Sequence, residues 1–284
     1  MKRFAIVAVL SLLAAAPALA QTGALGKIKT AGVITMGYVD NAAPFSYADS
    51  AGQPQGFSVE LCRRIADGIR DQLGLAKLET KWVALTVQNR LAAVRDGKVD
   101  IECSTVTWTL SRQKEVDFSL ITFVDGASIL TRVADKLNRL ADFSGKRIAV
   151  ITGTTTEKVL KAALASRSIN ASVVPVTLRT EGMEKLRKGE ADGFASDRMI
   201  LIGLTYKGQT KDASLKLLDE DFSVEPYALP VPRGDPDFRL AVDRVLAGLY
   251  RGNDIEKIYD LWLGPYGRPS LLLSAAYYIQ GLSE

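Results

Sequence analysis

From Val33 onward, strand-like runs alternate with segments of helical spacing, and this alternation limits the chain to an α/β fold. Val33 to Tyr38 reads as a strand after the turn signal Ala31-Gly32. Beyond a loop to Gly56, Leu61, Ile65, Ile69 and Leu73 recur every fourth residue, the stripe of an amphipathic helix, with Ser58 as its expected cap. Lys81 to Leu85 and Val99 to Cys103 read as strands, with a short helix from Gln88 to Arg95 between them. A second block of the same kind begins after Gly126. It has strands at 146–151, 172–176 and 191–195 and helices at 154–164, 181–187 and 198–206. The last block holds one strand, 227–231, and two helices, 236–250 and 255–262, too little for a third domain.

Residues 1–20 read as a secretory signal peptide. Lys2 and Arg3 supply the charge, Phe4 to Leu13 the apolar run, and Ala18-Leu19-Ala20 the cleavage site. That run falls short of the roughly 20 residues a spanning helix needs. The mature chain is therefore expected to start at Gln21 in the periplasm, and no cysteine stands there to take a lipid. A net charge of +4, evenly spread, gives no reason to expect nucleic acid.

The chain has no histidine, which removes the commonest metal ligand and the usual general base. Two cysteines alone do not make a zinc site, and no acidic cluster has calcium-loop spacing, so neither metal nor cofactor is expected. In an oxidising compartment Cys62 and Cys103 form one disulfide or remain two buried thiols; compartment and cysteine count favour the bridge.

The stretch Asp100 to Ser119, DIECSTVTWTLSRQKEVDFS, carries the chemistry. A strand ends in the hydroxyl-rich Ser104-Thr105-Val106-Thr107, and Arg112 follows. Hydroxyls and a guanidinium just past a strand end make a cradle for a small carboxylate, with charge-assisted bonds about twice as strong as neutral ones. Seven further motifs accompany it in order: Pro44-Phe45-Ser46-Tyr47, Gly56 to Leu61, Gln88-Asn89-Arg90, Gly97 to Cys103, Gly153 to Glu157, Gly189 to Asp197, and Ile258 to Trp262. Together they resemble the extracytoplasmic solute-binding proteins of polar amino-acid ABC importers (family 3). Gln88-Asn89-Arg90 with Glu102-Cys103 is most similar to the glutamate/aspartate-binding branch.

The resemblance implies a type II periplasmic-binding-protein fold of two lobes with two hinge crossings. Lobe 1 then comprises 21–121 and 228–263 and lobe 2 comprises 127–224. The crossings fall at 122–126 and 225–227, and a tail, 264–284, packs on the surface. It also implies a site. Arg112 takes the ligand α-carboxylate, joined by Thr105, Thr107 and the helix start at Thr154 and Thr155. Asp197 takes the α-ammonium, and Phe45 lies against the ligand's aliphatic part or in the core. Arg90 is the branch mark that recognises a side-chain carboxylate. The branch's arginine after the first strand is replaced here by Val39, followed by Asp40, and Arg179 stands near the branch's second-lobe histidine.

The implied function is delivery of a free amino acid to a membrane ABC permease by a monomeric receptor that performs no chemistry. A secreted dehydratase of the same fold, acting on prephenate- or arogenate-like acids, is the competing reading. It needs a general acid, for which Asp40, Glu157 and Asp197 are the candidates.

Overall fold

The computed structural model describes residues 23–207 and 210–283, so the expected signal peptide lies outside the described residues. The described chain opens on a helix that the alternation did not announce, α1 (Ala24–Ala31), which buries Leu25 and Ile28 and ends on left-handed Gly32. There follow β1 (Val33–Val39), a short ribbon of β2 (Tyr47–Ala48) and β3 (Pro54–Gln55), α2 (Phe57–Gln72), β4 (Glu79–Leu85), α3 (Arg90–Arg95) and β5 (Ile101–Glu102). The parallel strands stand in the order β4-β1-β5.

The α2 stripe buries Leu61, Ile65 and Ile69. Ser58 is not the cap: it lies in the first turn, and Gly56 holds the cap position with no side-chain bond. Loop carbonyls replace the capping hydroxyl. The amides of Phe57 and Ser58 donate to Pro44 O and Phe45 O, each at 3.0 Å. Glycine is required at 56, because its φ is 118° and a Cβ there would lie 2.4 Å from the Phe45 carbonyl carbon.

Besides the strands of two or three residues, two longer ones are not announced by the sequence, β6 (Asp117–Asp125) and β7 (Ala127–Arg132). Beyond them come β8 (Arg147–Ile151), α4 (Thr155–Ser166), β9 (Ser172–Val176), α5 (Arg179–Lys188), β10 (Gly193–Asp197) and α6 (Arg198–Thr205). The short strands β11 (Tyr206–Lys207), β12 (Thr210–Lys211) and β13 (Leu215–Leu217) precede β14 (Glu225–Val231). The second sheet has the order β13-β7-β10-β8-β9, with β8, β9 and β10 parallel and β7 antiparallel to both its neighbours. Its faces are both covered. Ile148 and Val150 pack with Leu160 and Leu164 of α4, while Ala149 and Ile151 pack with Met183 and Leu186 of α5.

The chain returns to the first sheet through α7 (Pro236–Arg251), α8 (Asp254–Trp262) and α9 (Leu271–Gln280), and a single core joins α1, α2, α7 and α8. Strands β6 and β14 form an antiparallel ribbon of their own, with Asp125 opposite Glu225, Val124 opposite Pro226 and Phe123 opposite Tyr227. The result is a two-lobe α/β molecule.

Helix α9 turns only part of its apolar surface inward. Leu273 and Tyr277 are buried, whereas Leu271, Tyr278 and Ile279 are exposed, because a single i,i+4 pair suffices to seat the helix. The Tyr277 hydroxyl donates to Thr122 O at 2.8 Å, and Ile121 N donates to Gln280 Oε1 at 2.7 Å. Removing residues 270–284 is expected to lower the unfolding temperature and to leave ligand preference unchanged. Thermal scans and a ligand panel on the truncated protein check this, and a new preferred ligand would contradict it.

Cys62 on α2 and Cys103 just past β5 are joined in a disulfide with a Cα separation of 6.1 Å. The bridge closes a span of 41 residues and ties α2 to the segment that carries Ser104, Thr105 and Thr107. A loop of this size corresponds to about 4 kcal/mol in the chain-entropy view. Thiol titration of the unfolded, unreduced protein is expected to find no free thiol. Unfolding with and without reductant should differ by several kcal/mol, and equal stability would show that the bridge does not constrain the fold.

Candidate functional site

Several elements end at one place between the lobes, beyond the carboxyl ends of β5, β8 and β10, where α/β folds collect their ligands. The segment after β5 brings Thr105 and Thr107. The turn after β8 brings Thr154 and Thr155, and β10 ends on Asp197. With Arg90 from α3 and Arg179 from α5, these residues line one small cavity of about 20 Å³. That is room for about one water molecule. Two bonds bridge the lobes around it: Thr107 Oγ1 to Thr155 Oγ1 at 3.1 Å, and Gln88 Nε2 donating to Thr177 O at 3.3 Å. These bonds close the cleft around the cavity.

Asp197 occupies the N-cap position of α6 yet makes no capping bond. Its oxygens face the cleft instead, one accepting from Thr156 Oγ1 at 2.8 Å and the other from the Tyr227 hydroxyl at 2.6 Å. Tyr227 also reaches Asp125 Oδ2 at 3.3 Å. Burial and the nearby Asp197 charge push the Asp125 carboxyl up to about 8.

Across the cavity stand two buried guanidiniums. Arg90 Nη1 donates to Thr105 O at 2.8 Å and to Ser104 Oγ at 3.1 Å. Arg179 is 7 % exposed, and its Nε has no hydrogen-bond partner among the described residues. Burial, then the charge of Arg90, lowers its pKa to about 10, so it remains a cation at neutral pH. Thr105 Oγ1 is likewise buried without a partner. Beneath them Glu102 is fully buried, and desolvation raises its pKa against the pull of Arg90. Arg112 does not itself line the cavity; it is half-buried beside it, its Nη1 donating at 2.8 Å to the carbonyl of the lining residue Thr107.

Thr154 caps α4, accepting from Glu157 N at 3.1 Å, while the Glu157 carboxylate accepts from Gly153 N at 2.8 Å. The Glu157 carboxylate thus takes the amide one residue before the cap rather than the cap residue's own. First-turn amides of a helix lack partners within it, so the start of α4 favours an anion.

Not every expected residue is at the cavity. Val39 and Asp40 line an adjoining recess of about 150 Å³, which shares only Ile151 and Arg179 with it. The Asp40 carboxylate is exposed and accepts from the amides of Asn41 and Ala48. Phe45 takes the second of its two expected places: it has no exposed surface and sits in the core, its ring 4.9 Å from Phe123 and 5.6 Å from Tyr227. The local loop, with its bond from Phe45 N to Ala42 O, turns the ring inward.

Residues that the sequence reading did not assign to the site come from β14. Glu225, 2 % exposed, accepts from Thr107 Oγ1 at 2.7 Å, and Tyr227 bonds Asp197 as above. They arrive because β14 returns beside the segment after β5: Trp108 N donates to Pro226 O at 2.7 Å, and Ala228 N to Val106 O at 3.1 Å. Nothing local in the sequence signals a neighbour more than a hundred residues away. The third threonine, Thr156, was legible within the Thr154-Thr155-Thr156 run.

The arrangement suits a dipolar molecule, with an acid on one wall and cations with open amides on the others. Two lobes joined by a paired ribbon, with such a cleft between them, define a solute-binding protein. Residues 34–265 match the bacterial extracellular solute-binding proteins, family 3, and the chain belongs to that family. It is 33 % identical over 258 residues to an L-glutamate/L-aspartate-binding protein of Pseudomonas aeruginosa, covering 90 % of this chain and 85 % of the relative. It is 29 % identical over 248 residues to a glutamate/aspartate import solute-binding protein of Escherichia coli, covering 87 % and 81 %. Among solved structures it is similar to an ancestral arginine-binding protein bound to arginine, with a TM-score of 0.72, 26 % identity, and coverage of 82 % of this chain and 99 % of that one.

The raised Asp125 carboxyl has a consequence for stability. The folded chain keeps this proton up to about pH 8, whereas the unfolded chain releases it near the ordinary aspartate value of 3.8. The associated stability is present below the unfolded value and is lost as pH rises through the folded one. Asp125→Asn is expected to flatten the loss of stability between about pH 4 and 8. Denaturant unfolding across that range checks it; identical slopes in both proteins would refute it.

Proposed function

We propose that this chain is the periplasmic receptor of an amino-acid ABC importer and that it binds an acidic amino acid in the cleft. The observation that carries the reading is Arg179, a buried cation whose Nε lacks a hydrogen-bond partner among the described residues and which lines the same cavity as Arg90 and Asp197. Burying a charge without a partner is costly, and a ligand carboxylate offsets that cost. Asp197 takes the ligand ammonium. Arg112, Thr107 and the first turn of α4 take the α-carboxylate, and Arg90 with Arg179 the side-chain carboxylate. The similarity to glutamate/aspartate-binding proteins supports this choice.

Residues 21–121 and 228–263 form lobe 1 and residues 127–224 lobe 2. The ribbon at 122–126 and 225–227 bends as the hinge, and the tail from 264 rides on lobe 1. The two charged ends of the ligand are gripped from different lobes, so binding favours the closed state. The signal at 1–20 is removed after Ala20 on export, and the receptor works as a monomer that docks on its permease.

Catalysis is disfavoured by the state of the acids. Hydrogen bonding to Lys161 and to the Gly153 amide holds the Glu157 carboxyl below its usual range, which makes it a poor proton donor. Both oxygens of Asp197 already accept hydrogen bonds.

Arg112→Ala and Asp197→Ala are each expected to weaken every amino-acid ligand by roughly 30-fold to several thousand-fold, the range for truncating one partner of a buried charge pair. Arg90→Ala and Arg179→Ala should weaken glutamate and aspartate far more than glutamine. Calorimetry with the three ligands decides it. Equal losses for glutamate and glutamine in the Arg179 variant would remove the acidic-ligand assignment.

A further inference from the structure

Glu225 is the group at the cleft that ligand binding does not use. It sits on β14, 2 % exposed, and contacts both lobes at once. Its Oε2 accepts the Thr107 hydroxyl at 2.7 Å, its Oε1 accepts the Ser223 hydroxyl at 2.7 Å, and Thr107 Oγ1 is 3.1 Å from Thr155 Oγ1. An internal carboxylate therefore already holds the hydroxyls that flank the carboxylate-binding corner.

A hydroxyl has one proton to donate. While Glu225 is ionised it is an acceptor only, and it takes the Thr107 proton. An incoming α-carboxylate then meets a hydroxyl turned away from it and a second negative charge nearby. A protonated Glu225 reverses both effects. Its own O–H donates to Thr107 Oγ1, the Thr107 proton turns to the ligand, and the repulsion is gone.

We propose that the cleft takes up its amino acid together with one proton, which passes from the buffer to Glu225 as the ligand carboxylate takes over the hydroxyls of Thr107 and Thr155. This rests on the placement of the α-carboxylate given under the proposed function. The charged and titratable groups facing Glu225 are Asp197 at the end of β10, Asp125 opposite it on β6, Tyr227 on its own strand and Arg112 after β5. Burial, then the Asp197 charge, already raises the Glu225 pKa before any ligand arrives. Arg112, lowered only to about 10, stays cationic and supplies the opposing attraction. A ligand carboxylate adds negative charge at the corner, so the pKa of Glu225 rises further in the complex and binding draws a proton in.

The test is calorimetric titration with glutamate in two buffers of different ionisation enthalpy, repeated over a range of pH. In the wild-type protein the apparent enthalpy is expected to differ between buffers by an amount corresponding to uptake of about one proton. Affinity should fall by up to about tenfold per pH unit above the pKa of Glu225 in the free protein. Glu225→Gln should abolish the buffer dependence and flatten the pH profile, so that the variant binds more tightly than wild type at high pH. Asp125→Asn should keep the proton uptake. Ser223→Ala removes a donor to the carboxylate, so the loss of affinity should begin at higher pH. The inference is overturned if the wild-type enthalpy does not depend on buffer, if uptake survives in Glu225→Gln, or if it disappears in Asp125→Asn alone. Every amino acid brings an α-carboxylate, so preference for a neutral ligand would sink the acidic-ligand reading while this test ran unchanged. Absence of binding by any amino acid would sink both.

Discussion

The pairing of β6 with β14 is the contact on which the rest of the molecule depends. Each strand belongs to a different pass of the chain, and their antiparallel ladder runs from Asp117–Val231 to Asp125–Glu225. The ladder fixes how the two sheets face each other. It also sets Tyr227 and Glu225 against the segment after β5 through the bonds from Trp108 N and Ala228 N. Helix α9 and Tyr250 fasten the same ribbon from outside, donating to the carbonyls of Thr122 and Ile121. A connection made of two paired strands bends more readily than a packed core, and both lobes have cores of their own.

The cleft is a balance of charges that no single lobe completes. Arg90 lies close enough to Arg112 and Arg179 to lower the affinity of both for protons. Asp125, Asp197 and Glu225 crowd the opposite side, and two of them are pushed toward the neutral form. Like charges gathered on each side at low dielectric are unfavourable until a molecule of the complementary pattern arrives. The open Nε of Arg179 is the local expression of that debt.

Rigid supports hold the polar segment in place. The disulfide pins the end of β5 to α2, and Glu102 Oε2 accepts from Ser104 N just beyond it. Val106 points into the core while Trp108 on the same side of the strand end is part-exposed against Phe118. These anchors keep Thr105 and Thr107 at the cavity. Phe45, despite its place in a loop, packs with Phe57, Phe123 and Tyr227.

Local pattern was enough for the α/β class, for most of the helices and for the identity of the charged residues, whereas the two lobes followed from the family resemblance. A four-residue apolar repeat, as at Leu61, Ile65 and Ile69, requires only a helix and a core. The Thr154 cap and the hydroxyls before Arg112 were legible because their roles depend on neighbours a few residues away. What the tertiary structure decided is who meets whom. Ser58 lost its capping role to the carbonyls of Pro44 and Phe45, and Phe45 went to the core. Val39 and Asp40 fell in a separate recess, and Glu225 and Tyr227 entered the site from the far end of the chain. A chain's periodicity specifies which side of an element is apolar; the distance between two polar groups is set only when the sheets are assembled and the strands between them are paired.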